Sequence, residues 1–385
     1  MKKIVLSLII LITIIGCSQK PITTTIVLTN IDNIEYGSTI YLDNLISISN
    51  GTLLTDNYQI DTDYLGTKDI TIDYKDSNNK KHHEYFTINI TDTTPPIIAS
   101  SNNIYILKDS TTPLIKKTLC GDNADRNLIC NIEGNYDINT TGNYNLKFTA
   151  TDQSGNTTTK AFTLHVVSSF DNNEPIQTTP FADYYTNYKT DQTEIGLDLS
   201  SHQGNIDWEK LKNSNISFVM LRIGTGPNSD GIINMDQKFE EYYIAAKNIG
   251  LKVGVYFYSY ATTKDEINLI TNWLNSNLQN KNIDLPIAYD WESWNYFNGS
   301  NLNFYDLNEQ AILFLNNLKE KGYQVMNYGS KYYLENIWQT NNYPTWLAHY
   351  VNKTSYNQNY FMWQITESAS VDGIEGPVDV DILYH

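Results

Sequence analysis

A chain of 385 residues exceeds the ordinary size of one domain, and at about 150 residues per domain it predicts two or three. Its 41% hydrophobic and 18% charged content is that of a globular protein, and 29 Tyr, 12 Phe and 7 Trp suit core filling or stacking on sugars. A formal net charge of −17 repels phosphate backbones, which excludes nucleic acid as an expected partner.

Residues 1–16 open with Lys2 and Lys3, continue as a mainly apolar run from Ile4 to Ile15, and end in the small residue Gly16. That pattern predicts a secretory signal. The run is shorter than the roughly 20 residues that cross a bilayer as a helix. Ile14-Ile15-Gly16-Cys17 resembles a bacterial lipobox, which implies lipidation of Cys17 and anchoring to the outer face of the membrane. The plainer reading is a secreted protein in which Cys17 is incidental. Cleavage before Cys17 removes two lysines and takes the net charge from −17 to −19. The remaining cysteines, Cys120 and Cys130, form an even pair, and in an oxidising compartment they predict one disulfide around a short loop.

From about Pro21 to Val167 the chain is rich in Thr, Asn, Asp, Ile and Tyr and alternates in short runs such as Asp69–Asp73 and Asn145–Thr149. These are half-buried strands. Placing Gly66 over Gly142 superposes Ile70 on Leu146, Ile72 on Phe148, Asp76 on Asp152 and Ile90 on Val166. One pattern occurs twice, which predicts two β-sandwiches in tandem over 21–96 and 97–168. The segments Asp92–Pro96 and Thr151–Asn156 resemble joints and turns of bacterial immunoglobulin-like modules. Their clustered Asp and Asn admit a calcium site, but such residues are favoured in turns for local hydrogen bonding, and no metal or cofactor is expected. Residues 169–192 carry Pro175 and Pro180 without sustained period and predict a linker.

After Thr193 the pattern changes to βα repetition. Strands are expected at Ile195–Leu199, Phe218–Ile223, Val253–Tyr258 and Leu285–Tyr289, and helices at Phe239–Ile249 and Lys264–Leu278. Such repeats over 193–385 fit a parallel barrel with its site at the C-terminal ends of the strands.

Asp290-Trp291-Glu292 ends one of these strands. In a strand, acids at i and i+2 point to one face about 6–7 Å apart, with Trp291 on the other. Repulsion keeps a proton on the acid in the drier pocket near neutral pH, which makes a general acid. Taken alone, this tripeptide is better explained by two acids that cap a strand end or pair with a basic residue. Asp198 near the end of the first strand, and Asp379 and Asp381 near the last, bring carboxylates from three strands to one mouth. Accidental capping explains that poorly.

These residues carry a specific resemblance. Asp198-Leu199-Ser200-Ser201-His202-Gln203-Gly204 with Ile206-Asp207-Trp208 is similar to the opening signature of glycoside hydrolase family 25, the N-acetylmuramidases. Gly250–Ala261 resembles its central strand, Asp290-Trp291-Glu292 its paired acids, and Asp372-Gly373-Ile374 with Gly376–Asp379 its closing strand. The resemblance implies a flattened eight-stranded barrel with fewer helices than the full eightfold version. It also implies cleavage of the β-1,4 bond between N-acetylmuramic acid and N-acetylglucosamine in peptidoglycan. Glu292 takes the place of general acid and base, Asp290 that of stabiliser or orienter of the substrate N-acetyl group, and Asp198 and Asp379 hold the pair. Tyr256, Tyr258, Tyr328, Trp346 and Gln364 take substrate-binding places, while His202 is a wall of the cleft. Two departures stand out: Trp291 lies where an aliphatic residue is usual, and Asp381 where Asn is frequent. Acid spacing leaves the retaining, inverting and substrate-assisted courses open, and the resemblance alone favours the last.

The expected protein is thus a monomeric, lipid-anchored, extracytoplasmic peptidoglycan hydrolase: two all-β immunoglobulin-like sandwiches followed by a flattened TIM-like α/β barrel. Its rivals are a surface-binding protein whose barrel has lost turnover and a hydrolase of another N-acetylated glycan such as chitin.

Overall fold

The computed structural model describes residues 23–29, 31–170 and 177–385. The expected signal segment, Cys17 and residues 171–176 of the expected linker lie outside them. Two compact units divide the chain, and the division runs through the second β-region. Cys120–Asn131 and Phe148–Lys160 group with residues up to Ile98, whereas Ala99–Leu119 and Ile132–Lys147 group with Ala161–His385.

The repeat seen in the sequence is a repeat of strands. Gly66–Lys75 and Lys81–Thr91 recur as Gly142–Thr151 and Thr157–Val167, with every boundary displaced by the same number of residues. Each run alternates, burying Ile70, Ile72 and Tyr74 in one copy and Leu146, Phe148 and Ala150 in the other. The turn after the first long strand is organised by Asp76, whose Oδ1 accepts from the backbone N–H of Asn78 (2.9 Å) and Lys80 (3.0 Å). Asp152 plays the same part for Asn156 at 2.8 Å. In each copy an earlier strand, Ile34–Glu35 or Asn103–Leu107, runs parallel beside the last one.

From Thr193 onward the strands are β1 (Thr193–Leu199), β2 (Phe218–Gly226), β3 (Lys252–Ser259), β4 (Ile287–Asp290), β5 (Val325–Ser330), β6 (Thr345–Ala348), β7 (Met362–Ser370) and β8 (Val378–Tyr384). They pair in that order, and β8 closes the barrel by bonding to both β7 and β1. Strands β1 to β7 are parallel, but β8 is antiparallel to both neighbours, which corrects the all-parallel expectation. The connection from β7 to β8 carries no helix, and a parallel return needs a dozen or more residues.

Helices Phe239–Asn248, Lys264–Leu278, Phe304–Glu320 and Lys331–Asn336 cover the middle connections. The second begins at Thr263, whose Oγ1 accepts from Glu266 N–H (3.2 Å) while Glu266 Oε2 accepts from Thr263 N–H (3.0 Å). That reciprocal cap fixes the helix start the sequence predicts. None of the helices is long and apolar enough to cross a membrane, among the described residues.

Alternate residues fill the barrel interior: Phe218 and Met220, Tyr256, Ala288, Met326 and Tyr328, Trp346, and Met362. Strands β1 and β2 approach so closely that a Cβ on Gly196 meets the Phe218 ring at 2.5 Å. The expected linker is shorter than the sequence suggests. Thr179–Pro180 adds to β7, and helix Phe181–Tyr188 packs on the barrel with the Tyr188 ring edge-on to Trp363 and its hydroxyl donating to the Asn352 carbonyl (2.8 Å). The absence of apolar period hid this helix, because one buried side chain, Phe181, and tyrosine edges hold it.

Candidate active site

Registers between strands explain why the acids meet. Asp198, near the C-terminal end of β1, stands opposite Asp379, near the N-terminal end of the antiparallel β8. Asp290 ends β4 opposite Tyr258 of β3, and Gln364 of β7 stands opposite Asp381 of β8. All lie on the inward-facing alternation, one layer beyond the apolar filling.

Gln364 is the hub of this layer and is 1% exposed. Its Nε2 donates to Asp198 Oδ2 (3.3 Å) and Asp379 Oδ2 (3.1 Å), while its Oε1 accepts from the hydroxyls of Tyr328 (2.9 Å) and Tyr350 (3.0 Å). Two donors and two acceptors leave the amide a single orientation. Tyr256 also donates to Asp198. Beside the first motif, Arg222 pairs with Asp236 (2.8 Å) and donates to Ser201 Oγ (3.1 Å), and Asp236 accepts from Ser201 N–H (3.1 Å). This network pins the loop that carries His202, which is exposed.

Burial and like charge push every carboxyl of the layer towards its neutral form. Burial, then Asp379, holds Asp198 well above the usual carboxylate range, and burial, then Glu292 and Asp198, does the same to Asp290. Asp379 rises to about 7 through burial, with Glu367 and Glu292 adding to it. Glu292 presents an exposed carboxyl to the cleft, and desolvation by the surrounding walls raises its pKa. The cluster therefore holds fewer negative charges than carboxyl groups near neutral pH. Asp290 Oδ1 is buried without a hydrogen-bond donor.

The paired acids do not share a strand. Strand β4 ends at Asp290, and Glu292 is the residue before the 3-10 turn Ser293–Gly299, with φ −129° and ψ 18°. The reason is Trp291, which is fully buried, donates from Nε1 to the Ala261 carbonyl (3.0 Å) and meets Trp294 and Phe297 edge-on. Burying that ring turns the chain before a second strand step is possible.

The five expected substrate-binding residues divide. Tyr258 is half-buried opposite Asp290 on the neighbouring strand, while Tyr256 and Tyr328 present their hydroxyls to the acid layer and are otherwise core. Trp346 is 1% exposed and donates from Nε1 to Asp381 Oδ1 (2.7 Å), so its ring lies beneath the site and has no face for a sugar. Burial, then Asp198, holds the Asp381 carboxyl well above its usual range. A neutral carboxyl matches a carboxamide in shape, so this departure from Asn leaves the layer intact. Sequence reasoning missed Tyr350, Tyr333 and Arg222. Tyr350 follows β6 by two residues, which was the available signal; Tyr333 stacks on Trp294 at 3.9 Å between centroids. Glu292, Tyr328, Tyr333 and Tyr350 line a cleft of about 570 Å³.

Residues 197–374 match Glycosyl hydrolases family 25. Over 189 residues the chain is 29% identical to the autolytic lysozyme of Clostridium acetobutylicum, covering 48% of this chain and 54% of that protein. This half of the chain is a glycoside hydrolase domain. The protein YegX of Escherichia coli K12 is 24% identical over 193 residues, covering 49% of this chain and 68% of its own. The chain spans about half the length of the clostridial relative. Among solved structures, the modular autolysin LytC of Streptococcus pneumoniae with a synthetic peptidoglycan ligand aligns at TM-score 0.46 and 22% identity, over 62% of this chain and 56% of that one. A family 25 glycosyl hydrolase of Bacillus anthracis aligns at 0.44 and 18%, over 52% and 93%.

Proposed function

We propose that the hydrolase domain is a lysozyme that cleaves the β-1,4 bond between N-acetylmuramic acid and N-acetylglucosamine, with Glu292 as general acid and base. The observation that carries this reading is the convergence of Asp198, Asp290 and Asp379 around an acid that opens to the cleft. Glu292, kept protonated by partial desolvation, gives its proton to the glycosidic oxygen as the anomeric C–O bond breaks. Positive charge grows on the anomeric carbon. Asp290, buried beside Glu292, stabilises that charge or orients the substrate N-acetyl group so that its carbonyl oxygen turns towards that carbon. Water then attacks, and the Glu292 carboxylate takes its proton. Asp198, Asp379 and Gln364 hold the geometry and share the cluster's protons.

Around the domain, the reading is a secreted lipoprotein anchored at Cys17, with the two β-repeats as immunoglobulin-like spacers over 21–96 and 97–168 and the hydrolase over 193–385. Its place is the outer face of the membrane, and its partner is the glycan strand. Clearing of a peptidoglycan suspension by the purified chain tests the catalytic part. Glu292→Gln abolishes clearing with an unchanged circular dichroism spectrum. Equal clearing by the variant removes Glu292 from the mechanism.

A further inference from the structure

A second tight group of acids lies far from the cleft in sequence, within the first compact unit. Asp92, Asp122 and Asp152 each offer a carboxylate oxygen within 4.8 Å of the other two. They are 6%, 1% and 6% exposed. One oxygen of each is held by nearby backbone: Thr94 N–H donates to Asp92 (3.2 Å), Ala124 and Asp125 N–H to Asp122 (2.8 and 2.9 Å), and Asn156 N–H to Asp152 (2.8 Å). Asn156 Nδ2 also donates to Asp152 Oδ2 (2.9 Å) and to the Asp92 carbonyl (3.1 Å).

The second oxygens of Asp92 and Asp122 are buried and have no hydrogen-bond donor. A buried orphan acceptor is costly, and a buried orphan anion more so. Asp76, the counterpart of Asp152 in the first copy, has its carboxylate matched by His82 Nε2 at 2.9 Å; position 158, the counterpart of His82, is Thr158, and Asp152 takes its second donor from Asn156 Nδ2 instead.

The supporting framework is built rather than incidental. The Cys120–Cys130 disulfide closes the loop that carries Asp122, with Cα atoms 5.9 Å apart, and Asp125 Oδ2 accepts from Gln153 N–H (2.7 Å) to tie that loop to the Asp152 turn. Calcium takes six to eight oxygens at about 2.3–2.6 Å, so oxygens on opposite sides of one ion lie about 4.8 Å apart. One oxygen from each of the three carboxylates lies within that span of the other two.

We infer that Asp92, Asp122 and Asp152 bind a calcium ion that joins the end of the first β-repeat to two turns of the second. The turn-chemistry reading accounts for both oxygens of Asp152 but for one oxygen each of Asp92 and Asp122, and leaves their second oxygens unexplained.

Calorimetric titration of the full chain with calcium after EDTA treatment, followed by thermal unfolding and amide exchange, tests this. The expected result is saturable binding of one ion, a rise of several degrees in Tm, and slower exchange in Cys120–Asn131 with calcium but not with magnesium. Asp122→Asn keeps the backbone acceptor and loses one charge. It abolishes calcium binding yet unfolds no earlier than the parent in EDTA, because a buried repulsion is gone. If that variant does not fold, Asp152→Asn is read the same way. Cleavage of soluble glycan by either variant stays at the parent rate. Absence of calcium binding at millimolar concentration, equal response to magnesium, or a variant equally destabilised in EDTA and calcium overturns the proposal.

Discussion

Gln364 is the residue on which the acid layer depends most, because its four hydrogen bonds join two carboxyls to two tyrosines. Gln364→Leu removes the donor from Asp198 and Asp379 together, and leaving buried polar groups unmatched costs about 1–3 kcal/mol. Turnover drops with it. Denaturant unfolding and initial rates on soluble glycan measure both, and Gln364→Glu rescues neither, since it adds a charge where Nε2 donated.

Protonation is a second consequence at this scale. The raised pKa of Glu292 means that the rate on the alkaline side falls as pH rises through that value, above the range of an ordinary carboxylate. For stability the sign follows from proton counts. Asp379 titrates at about 7 when folded and near 3.8 when unfolded, so between these values the folded chain binds the extra proton and stability declines with rising pH. Asp379→Asn lessens that decline in chemical denaturation measured from pH 4 to 7. Asp381→Asn leaves activity close to the parent, because the carboxyl it replaces is already neutral.

Among the elements, those legible in the sequence are the ones whose pattern and termination agree. Helix Lys264–Leu278 has an apolar face and a reciprocal cap, so its bounds follow from residues 263–278 alone. Thr263→Ala takes away that cap and lowers stability by about 1 kcal/mol, to be read by differential scanning calorimetry. The tandem strands are equally legible, because alternation and turn aspartates repeat together. Strand β8 is different. Its alternation places Asp379 and Asp381 inward, but alternation carries no direction, and only the short return from β7 makes it antiparallel. Trp291 and Trp346 show the same limit for side chains. An aromatic residue at a strand end looks alike whether it faces a sugar or the core, and depth comes from the strands packed against it.

At the scale of the whole chain, the hydrolase half was legible because four motifs occur in one order, and the match over 197–374 spans the first three and the start of the fourth. Helix Phe181–Tyr188 was not, since tyrosine edges and one phenylalanine hold it rather than a periodic face. The proposed anchor predicts that the chain partitions with membranes when made in a bacterial host, and that Cys17→Ser releases it into the medium with its glycosidase activity unchanged. Fractionation followed by an activity assay measures this. The central claim is the bond and the acid that cleaves it. Reducing-end analysis by mass spectrometry of peptidoglycan digested with the parent chain and with Glu292→Gln tests both at once. New muramic acid reducing ends from the parent, lost in the variant, are the predicted result; glucosamine reducing ends, or the same products from the variant, contradict it.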